Sequence, residues 1–259
     1  MSGAVDVAVL GRSLRLSIGM LTALRMPVVL RVTPGVATGA LLLAPLAVLP
    51  LGVLVGAVVW AGGRLDLPAL GVAFAALAVL AVGSRALHLD GLSDVADGLT
   101  SSYDRERSLA VMKSGTAGPA GVAALVLVLG AQAAGLMWFV GLDGELRSAI
   151  VAGAAVCASR AALWITACSV VPPARPDGLG VTFTRRVPVL VAVLGWAGLA
   201  ALAVLVDPVR GPVTVAVAAL VVAALTAHTV RRFGGVTGDV FGAGIEIALA
   251  VLLVGLAGA

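Results

Sequence analysis

Seven runs of apolar residues, separated by short joints of Gly, Pro and charged residues, constrain this chain more than any other feature. Each run is close to the about 20 residues that a helix needs to cross a bilayer. The runs are 36–60, 68–89, 117–141, 149–171, 187–206, 213–230 and 240–258. Hydrophobic residues make up 61% of the chain and charged residues 12%, against about 45–50% and about 25% in a soluble domain. The pattern predicts an all-α, polytopic bundle embedded in the lipid bilayer, with the sixth span the shortest.

The N-terminal segment differs from these runs because it mixes arginines with apolar residues. Residues 4–31 hold Arg12, Arg15, Arg25 and Arg31, which favours an interfacial amphipathic helix over an eighth span. No charged stretch followed by a cleavable apolar region begins the sequence, so we expect no signal peptide. We therefore expect a single domain, 1–259, with an interfacial segment at 1–35 and the transmembrane bundle at 36–259.

The placement of positive charge predicts the topology. From the N-terminal segment to the C-terminus, the joints carry four, one, four, one, three, one, two and no Lys or Arg residues, with Arg85 counted in the third group. Cytoplasmic joints carry the excess of Lys and Arg. The alternation predicts seven spans with the N-terminus inside and the C-terminus outside. Three joints, 90–116, 172–186 and 231–239, then share the cytoplasmic face and hold most of the residues capable of chemistry.

Three carboxylates lie just after the second run. Asp90, Asp94 and Asp97 are spaced i, i+4 and i+7, so a helix would place all three on one face. Like charges this close repel each other, and a cation relieves that repulsion. Oxygen ligands favour a hard metal such as Mg²⁺ or Mn²⁺, with phosphate oxygens completing its coordination. The spacing predicts a metal site that also binds phosphate.

Other residues of this stretch support the prediction but leave alternatives open. Gly91 and Gly98 would let a substrate or metal approach the backbone. His88 is a candidate base or ligand, or a residue that hydrogen-bonds the helix end. A solvated acidic loop and a proton or cation pathway are the two alternatives that the sequence leaves for the acids.

A second acidic stretch opens the last run. Asp239 and Glu246 are seven residues apart and share a helix face, and Thr237 precedes them as a candidate substrate contact. Glu246 falls about two turns into the span, where an unpaired carboxylate is costly. Close packing of small residues would explain the glycines of 234–246 but not the two acids. We therefore take both acids as candidate metal or substrate ligands.

Basic residues complement the acids. Arg105, Arg107 and Lys113 follow the first cluster; they either set the topology or bind substrate, and Lys113 is the only lysine among 17 basic residues. Arg160 lies in mid-span, where it must face a polar interior or a carboxylate. Arg175 precedes a Gly-rich turn and is a candidate phosphate ligand.

Several classes of function find no support in the sequence. Cys157 and Cys168 are eleven residues apart, which is about 16 Å on a helix and too far for a disulfide. No Walker loop, dinucleotide fingerprint, nucleophile elbow or nucleic-acid module is present. We expect no nucleic-acid partner.

The chain resembles the cobalamin synthase family, also called adenosylcobinamide-GDP ribazoletransferases. The resemblance depends on 88–98, on Arg107 with Met112-Lys113, and on 234–246, with weaker support at 21–27, 43–45 and 175–180. The sequence departs from the family at Ser93 and Val95, where Ala and Thr are usual. It also has 114–116 as Ser-Gly-Thr where the family typically has a run such as Asp-Ser-Arg.

The resemblance implies a Mg²⁺-dependent transferase of the 2.7.8 class in the bacterial inner membrane. Such an enzyme joins α-ribazole, or its 5′-phosphate, to adenosylcobinamide-GDP, releases GMP and gives adenosylcobalamin or its phosphate. Asp90, Asp94 and Asp97 would hold Mg²⁺ against the diphosphate. Asp239 with Glu246 would hold a second metal or orient the ribazole hydroxyl, and a carboxylate or His88 would accept its proton. Association with other enzymes of vitamin B12 assembly is a further expectation.

Two other functions compete with this interpretation. A secondary transporter would have internal repeats and acids near the bilayer midplane, whereas this sequence has no visible repeat and its two acidic clusters lie at one membrane face. A CDP-alcohol phosphotransferase acting on lipid shares the acidic pattern. That family needs an Arg two residues before its G-x-x-x-D run, which this chain does not supply.

Overall fold

The computed structural model describes residues 2–140 and 145–258, with side chains described from residue 7 and not at residue 145. This part of the chain is all-α, as predicted, and its only extended pairings are isolated bridges. The helices are α1 Ser2–Leu21, α2 Pro34–Leu42, α3 Ala44–Ala47, α4 Leu49–Arg64, α5 Ala69–Gly83, α6 Leu87–Ser101, α7 Arg105–Met112, α8 Pro119–Phe139, α9 Glu145–Ser159, α10 Ala162–Thr166, α11 Gly178–Phe183, α12 Val189–Ala203, α13 Arg210–Phe233 and α14 Gly238–Leu256.

Each predicted run contains helix, but four of the described helices or helix pairs are long and apolar enough to span a bilayer. These are α8, residues Leu146–Thr166 of α9 and α10, α13 and α14; the bent pair α5 and α6 would make five. The shorter apolar helices α4 and α12 fall below that length. The sixth predicted run, expected to be the shortest, lies within the longest of these helices, α13, which has 24 residues. The chain is thus a helical membrane protein, and the count of seven spans stays a prediction.

Prolines explain why the first predicted run is broken. α2, α3 and α4 each have a proline in the first turn. A proline has no N–H and is favoured where the first-turn N–H groups lack partners, so it starts a new helix. Thr33 caps α2 by accepting a hydrogen bond from Val36 N. The third predicted run ends at Gly141, which lies outside the described residues.

A sharp bend divides the second predicted run. α5 and α6 meet at 93°, and Arg85 and Ala86 adopt positive φ angles of 59° and 54° at the bend. The N-terminal segment braces it: Arg85 Nη2 donates to Gly19 O at 2.8 Å, and Ala23 N donates to Gly83 O at 2.6 Å. The prediction of one helix over 68–89 is wrong because the helix ends at Gly83. The acid-bearing helix α6 therefore runs almost perpendicular to α5 instead of continuing it.

The N-terminal segment is helical over Ser2–Leu21 and packs against α2 and α3. The helix ends ten residues before the predicted end at 31. Residues 24–30 are without helix, and Val28 and Leu30 are strongly exposed.

The last helix, α14, is the centre of the bundle. It packs against α6, α8, α9, α10 and α13, and most of its length is buried. Its contact with α6 is between backbones: a Cβ placed on Gly91 would lie 2.6 Å from Asp239 O, and one on Gly242 would lie 3.0 Å from His88 Cα. These glycines therefore bring the beginnings of α6 and α14 together, which places the two acidic stretches side by side.

We predict that Gly91→Ala lowers Tm, because its methyl group would push α6 from α14; overpacking of this kind costs about 1–3 kcal/mol. Thermal unfolding of purified protein in detergent, followed by tryptophan fluorescence, measures the change. Gly130→Ala on α8 is the control, since a Cβ there meets nothing within 4 Å. A Tm for Gly91→Ala equal to or above that of the control would contradict the tight contact.

Candidate cation and phosphate site

A cleft of about 220 Å³ lies where three segments meet: the end of α7, the start of α11 and the start of α14. The cleft is lined by Lys113, Arg175, Asp177, Gly178, Leu179, Gly180, Val236, Thr237, Gly238 and Asp239. Two hydrogen bonds join the second and third segments: Val236 N donates to Pro172 O at 3.0 Å, and Ala174 N donates to Val236 O at 2.9 Å. Two of the three predicted cytoplasmic joints are thereby held in fixed register.

Carboxylates from both acidic stretches lie within electrostatic reach of one another beside this cleft. The pKa of Asp94 is raised to about 6, first by burial and then by the charges of Asp90, Asp239 and Asp97, whereas the charge of Arg175 lowers it. Asp90 is exposed, and Asp94 and Asp239 are half-buried. Asp94 lies on α6 beyond the bend, outside the four long apolar helices. A cation near Asp94 would relieve the repulsion that these groups share.

Asp97 is held by hydrogen bonds to the start of α8. Its Oδ2 accepts a hydrogen bond from Gly118 N at 2.6 Å and its Oδ1 accepts one from Gly121 N at 2.9 Å. The carboxylate thus satisfies N–H groups that would lack partners at the start of α8, where the helix dipole also favours negative charge. Within the described ranges, no three His, Cys, Asp or Glu side chains are arranged to hold a metal. The metal-ligand role of Asp97 stays a prediction.

The two predicted acids of α14 lie in different surroundings. Asp239 lines the cleft, and its Oδ2 accepts a hydrogen bond from Thr237 Oγ1 at 3.0 Å. Glu246 is seven residues further, about 10 Å along the helix, and only 3% exposed. Its Oε2 accepts from Gln132 Nε2 at 2.8 Å, and the same nitrogen donates to its backbone O at 3.0 Å. The structure thus separates the two acids that the sequence paired.

Glu246 belongs to a buried polar group below the cleft. His88 Nδ1 is 3.7 Å from Glu246 Oε1. Arg160 is fully buried, and its Nη1 donates to Val156 O and Ser159 Oγ. Arg160 Nε, Arg160 Nη2 and His88 Nδ1 have no hydrogen-bond partner among the described residues. Unpaired polar atoms in such a place mark a site for water or for a ligand group.

Gln132 is a residue that sequence reasoning missed. It is the only glutamine in the chain and the only amide side chain in the otherwise apolar α8. A lone amide within a membrane helix is a signal, because such a group needs a polar partner in lipid. The partner, Glu246, lies 114 residues away in sequence, and only the packing of α8 on α14 reveals it.

Two of the predicted basic residues have different environments. Arg105 joins segments: its Nε donates to Phe233 O at 2.6 Å and its Nη2 donates to Ala174 O at 2.7 Å. Arg107 is exposed, and its backbone N–H donates a hydrogen bond to the Asp104 carboxylate that caps α7. Neither residue lines the cleft. Arg105 therefore acts on the site by holding together the segments that form it.

The other two basic residues predicted for the cytoplasmic joints line the cleft. Arg175 is partly buried, and its Nη2 donates to Leu109 O at 2.6 Å. Lys113 Nζ is 3.2 Å from Asp177 Oδ2. The predicted glycines lie elsewhere: Gly91 packs on the Asp239 backbone, and Gly98 packs on Met112. Both glycines serve helix packing rather than the approach of a ligand.

Comparison with known proteins gives consistent matches. Residues 13–257 match the model of the cobalamin-5-phosphate synthase family. A Nocardioides protein named adenosylcobinamide-GDP ribazoletransferase is 53% identical over 239 residues, which cover 92% of this chain and 95% of the relative. Proteins of the same name from Pseudomonas aeruginosa and Frankia casuarinae are 37% and 35% identical, covering 95% and 84% of this chain and 98% and 84% of themselves. No solved structure matches.

The fold and the cleft define a helical membrane protein with an acidic, arginine-flanked site suited to a cation and a phosphate. The sequence matches extend over nearly the whole length of the chain and of its relatives. The chain belongs to the cobalamin-5-phosphate synthase family, and it is a transferase of cobalamin biosynthesis. This membership decides between the interpretations that the sequence left open, in favour of the transferase.

We predict that replacing two neighbouring acids of α6 by alanine has different effects on the free energy of unfolding. Asp97→Ala should cost about 0.5–2 kcal/mol, as the loss of a capping side chain does, because two N–H groups of α8 lose their acceptor. Asp90→Ala should leave Tm unchanged or raise it, because it removes repulsion from an exposed position. Both are measured by thermal unfolding in detergent with EDTA. Equal losses of Tm in the two variants would contradict the capping role.

We also predict that Gln132 and Glu246 are energetically coupled. Gln132→Leu leaves a buried carboxylate without its donor and should destabilise the protein by about 1–3 kcal/mol. Adding Glu246→Leu should recover part of that loss, since the double variant no longer buries a carboxylate without its donor. Unfolding of the two single variants and the double variant measures the coupling. Strictly additive losses would show that the hydrogen bond contributes nothing.

Proposed function

We propose that the chain joins α-ribazole, or its 5′-phosphate, to adenosylcobinamide-GDP and releases GMP. The family match and the printed names of the relatives support the reaction. The structural observation that carries it is the meeting of Asp90, Asp94 and Asp239 beside a cleft that Arg175 lines. The ribazole hydroxyl attacks the phosphorus next to the cobinamide arm. One P–O bond forms, the bond to GMP breaks, and the hydroxyl proton passes to a base.

We further propose that the reaction depends on Mg²⁺, with Mn²⁺ as a substitute. The donor set fits this ion, since Asp90 and Asp94 offer carboxylate oxygens that are not buried within the bundle. Mg²⁺ is commonly held by one or two carboxylates, with water and substrate phosphate completing its shell. When bound, the ion would neutralise charge on the diphosphate. A site completed by substrate agrees with the lack of a preformed three-ligand cluster in the described residues.

Side chains of the protein bind the phosphate, accept the proton and position the helices. Arg175 lines the cleft and lowers the pKa of Asp94 by its charge, so it is the best-placed cation for the phosphate of the leaving GMP. Asp239 lines the same cleft and is oriented by Thr237, which favours it as the proton acceptor. His88 is buried against Glu246. This contact favours a role for both residues in positioning α6 against α14 rather than in binding a metal.

We propose a seven-span topology with the N-terminus inside and the site on the cytoplasmic face of the inner membrane. The alternation of Lys and Arg counts supports it. Three further spans join the four longer ones in this topology. The first is formed by α2, α3 and α4 together, the second by α5, and the third by the short helix α12. The cleft-lining joints then face the compartment that holds nucleotide-activated substrates. A single domain with α1 at the interface, and association with other enzymes of B12 assembly, complete the proposal.

We predict that Asp94→Asn lowers Mg²⁺-dependent GMP release by about 100-fold or more, because stabilisation by a metal amounts to several kcal/mol. The assay uses purified protein, adenosylcobinamide-GDP and α-ribazole, with GMP and cobalamin quantified by chromatography. Asp66→Asn, at an exposed acid between α4 and α5, should retain full activity. Full Mg²⁺-dependent activity in Asp94→Asn would overturn the metal role, and a wild-type protein that forms no cobalamin would overturn the reaction.

A further inference from the structure

The size of the cleft limits what part of the substrate it can hold. Its volume is about 220 Å³, below the about 300–1,000 Å³ of pockets that enclose a whole small molecule. A corrinoid ring is far larger than this. The cleft therefore suits one flat or compact group of the substrate, such as a nucleobase or a single phosphate.

One pair of side chains in the cleft has no part in the chemistry described above. Asp177 and Lys113 come from segments 64 residues apart, and Asp177 Oδ2 lies 3.2 Å from Lys113 Nζ. Both side chains are more than half exposed, and an ion pair in that setting contributes little to stability. Stability alone therefore gives no reason for the pair to line the cleft.

The position of Asp177 at the start of α11 gives a second reason to examine its side chain. Asp177 occupies the N-cap position of α11, yet its side chain makes no capping hydrogen bond. An Asp at this position ordinarily accepts a hydrogen bond from the second or third N–H of the helix. Here the Asp177 carboxylate does not form that bond, and it contacts Lys113 on another segment of the same cleft instead.

The chemistry of the pair discriminates between a phosphate and a base. A phosphate beside Asp177 would be repelled by its carboxylate. The edge of guanine is complementary to the pair: its O6 accepts a hydrogen bond, and its N1–H and N2–H₂ groups donate. The Lys113 ammonium donates, and the two oxygens of Asp177 accept. Adenine has a donor at N6 in place of O6 and an acceptor at N1. Its N6 donor would therefore face the Lys113 donor, and its N1 acceptor would face the Asp177 acceptor.

We propose that Asp177 and Lys113 recognise the guanine base of the nucleotide-activated substrate, with Asp177 as the specificity-determining residue. This inference rests on the proposed function, which supplies a guanosine diphosphate group at the site. It assigns Lys113 to guanine O6 and leaves Arg175 as the phosphate ligand.

The test is a change of base preference in Asp177→Asn. The amide keeps an acceptor for N1–H and gains a donor, which matches the O2 of xanthine and clashes with the N2–H₂ of guanine. The kcat/KM values for adenosylcobinamide-GDP and its xanthine analogue are compared in wild type, in Asp177→Asn and in Glu106→Gln, an exposed acid-to-amide control on α7. The guanine-to-xanthine ratio should fall about ten- to a hundredfold in Asp177→Asn, the range for one bidentate base contact, and stay unchanged in the control.

An unchanged ratio in Asp177→Asn, or an equal loss with both substrates, would overturn the proposal. A binding measurement separates this failure from failure of the proposed reaction. Displacement of a ribose-labelled fluorescent GMP by GMP, AMP or XMP needs no turnover. Wild type should prefer GMP, and Asp177→Asn should shift toward XMP by a similar factor. The same shift in a protein that forms no cobalamin would overturn the reaction while supporting base recognition, and equal binding of all three nucleotides would overturn base recognition.

Discussion

The contact between α6 and α14 is the constraint on which the rest of the site depends. Gly91 and Gly242 lack side chains where each helix meets the backbone of the other, so the two helices approach more closely than any larger residue would permit. This approach brings Asp90 and Asp94 within electrostatic reach of Asp239. The repulsion that results is tolerated because the packing of α14 within the bundle holds the acids in place.

A second layer of polar residues supports this arrangement from inside the bundle. Gln132 binds both the side chain and the backbone of Glu246, and Asp97 binds the start of α8. Helix α8 is thus attached through polar groups to both acid-bearing helices. Because such bonds are directional, they fix the rotation of the helices in a way that contacts between Ala, Val and Leu side chains do not. The charge of Arg160 lies in the same buried region, near Glu246.

The cytoplasmic joints are joined by a different means. Arg105 donates to the carbonyls of Phe233 and Ala174, and the 172–174 segment exchanges backbone hydrogen bonds with Val236. Three stretches that are far apart in sequence therefore become the walls of one cleft. Arg175 and Lys113 line the cleft and Arg105 does not, and the roles of all three as substrate ligands stay predictions.

The sequence by itself determined the fold class and the membrane environment and indicated the stretches that hold the candidate site residues, because composition and helical spacing are local properties of the chain. It also indicated the family through motifs at 88–98 and 234–246. Only the tertiary structure decided that Asp97 turns to α8 and that Glu246 lies apart from Asp239 with Gln132 as its partner. The bend before α6 and the position of Asp177 in the cleft were likewise decided there. These features depend on which helices meet and at what rotation, and the energy of such contacts is shared between residues too distant in sequence for any local pattern to show.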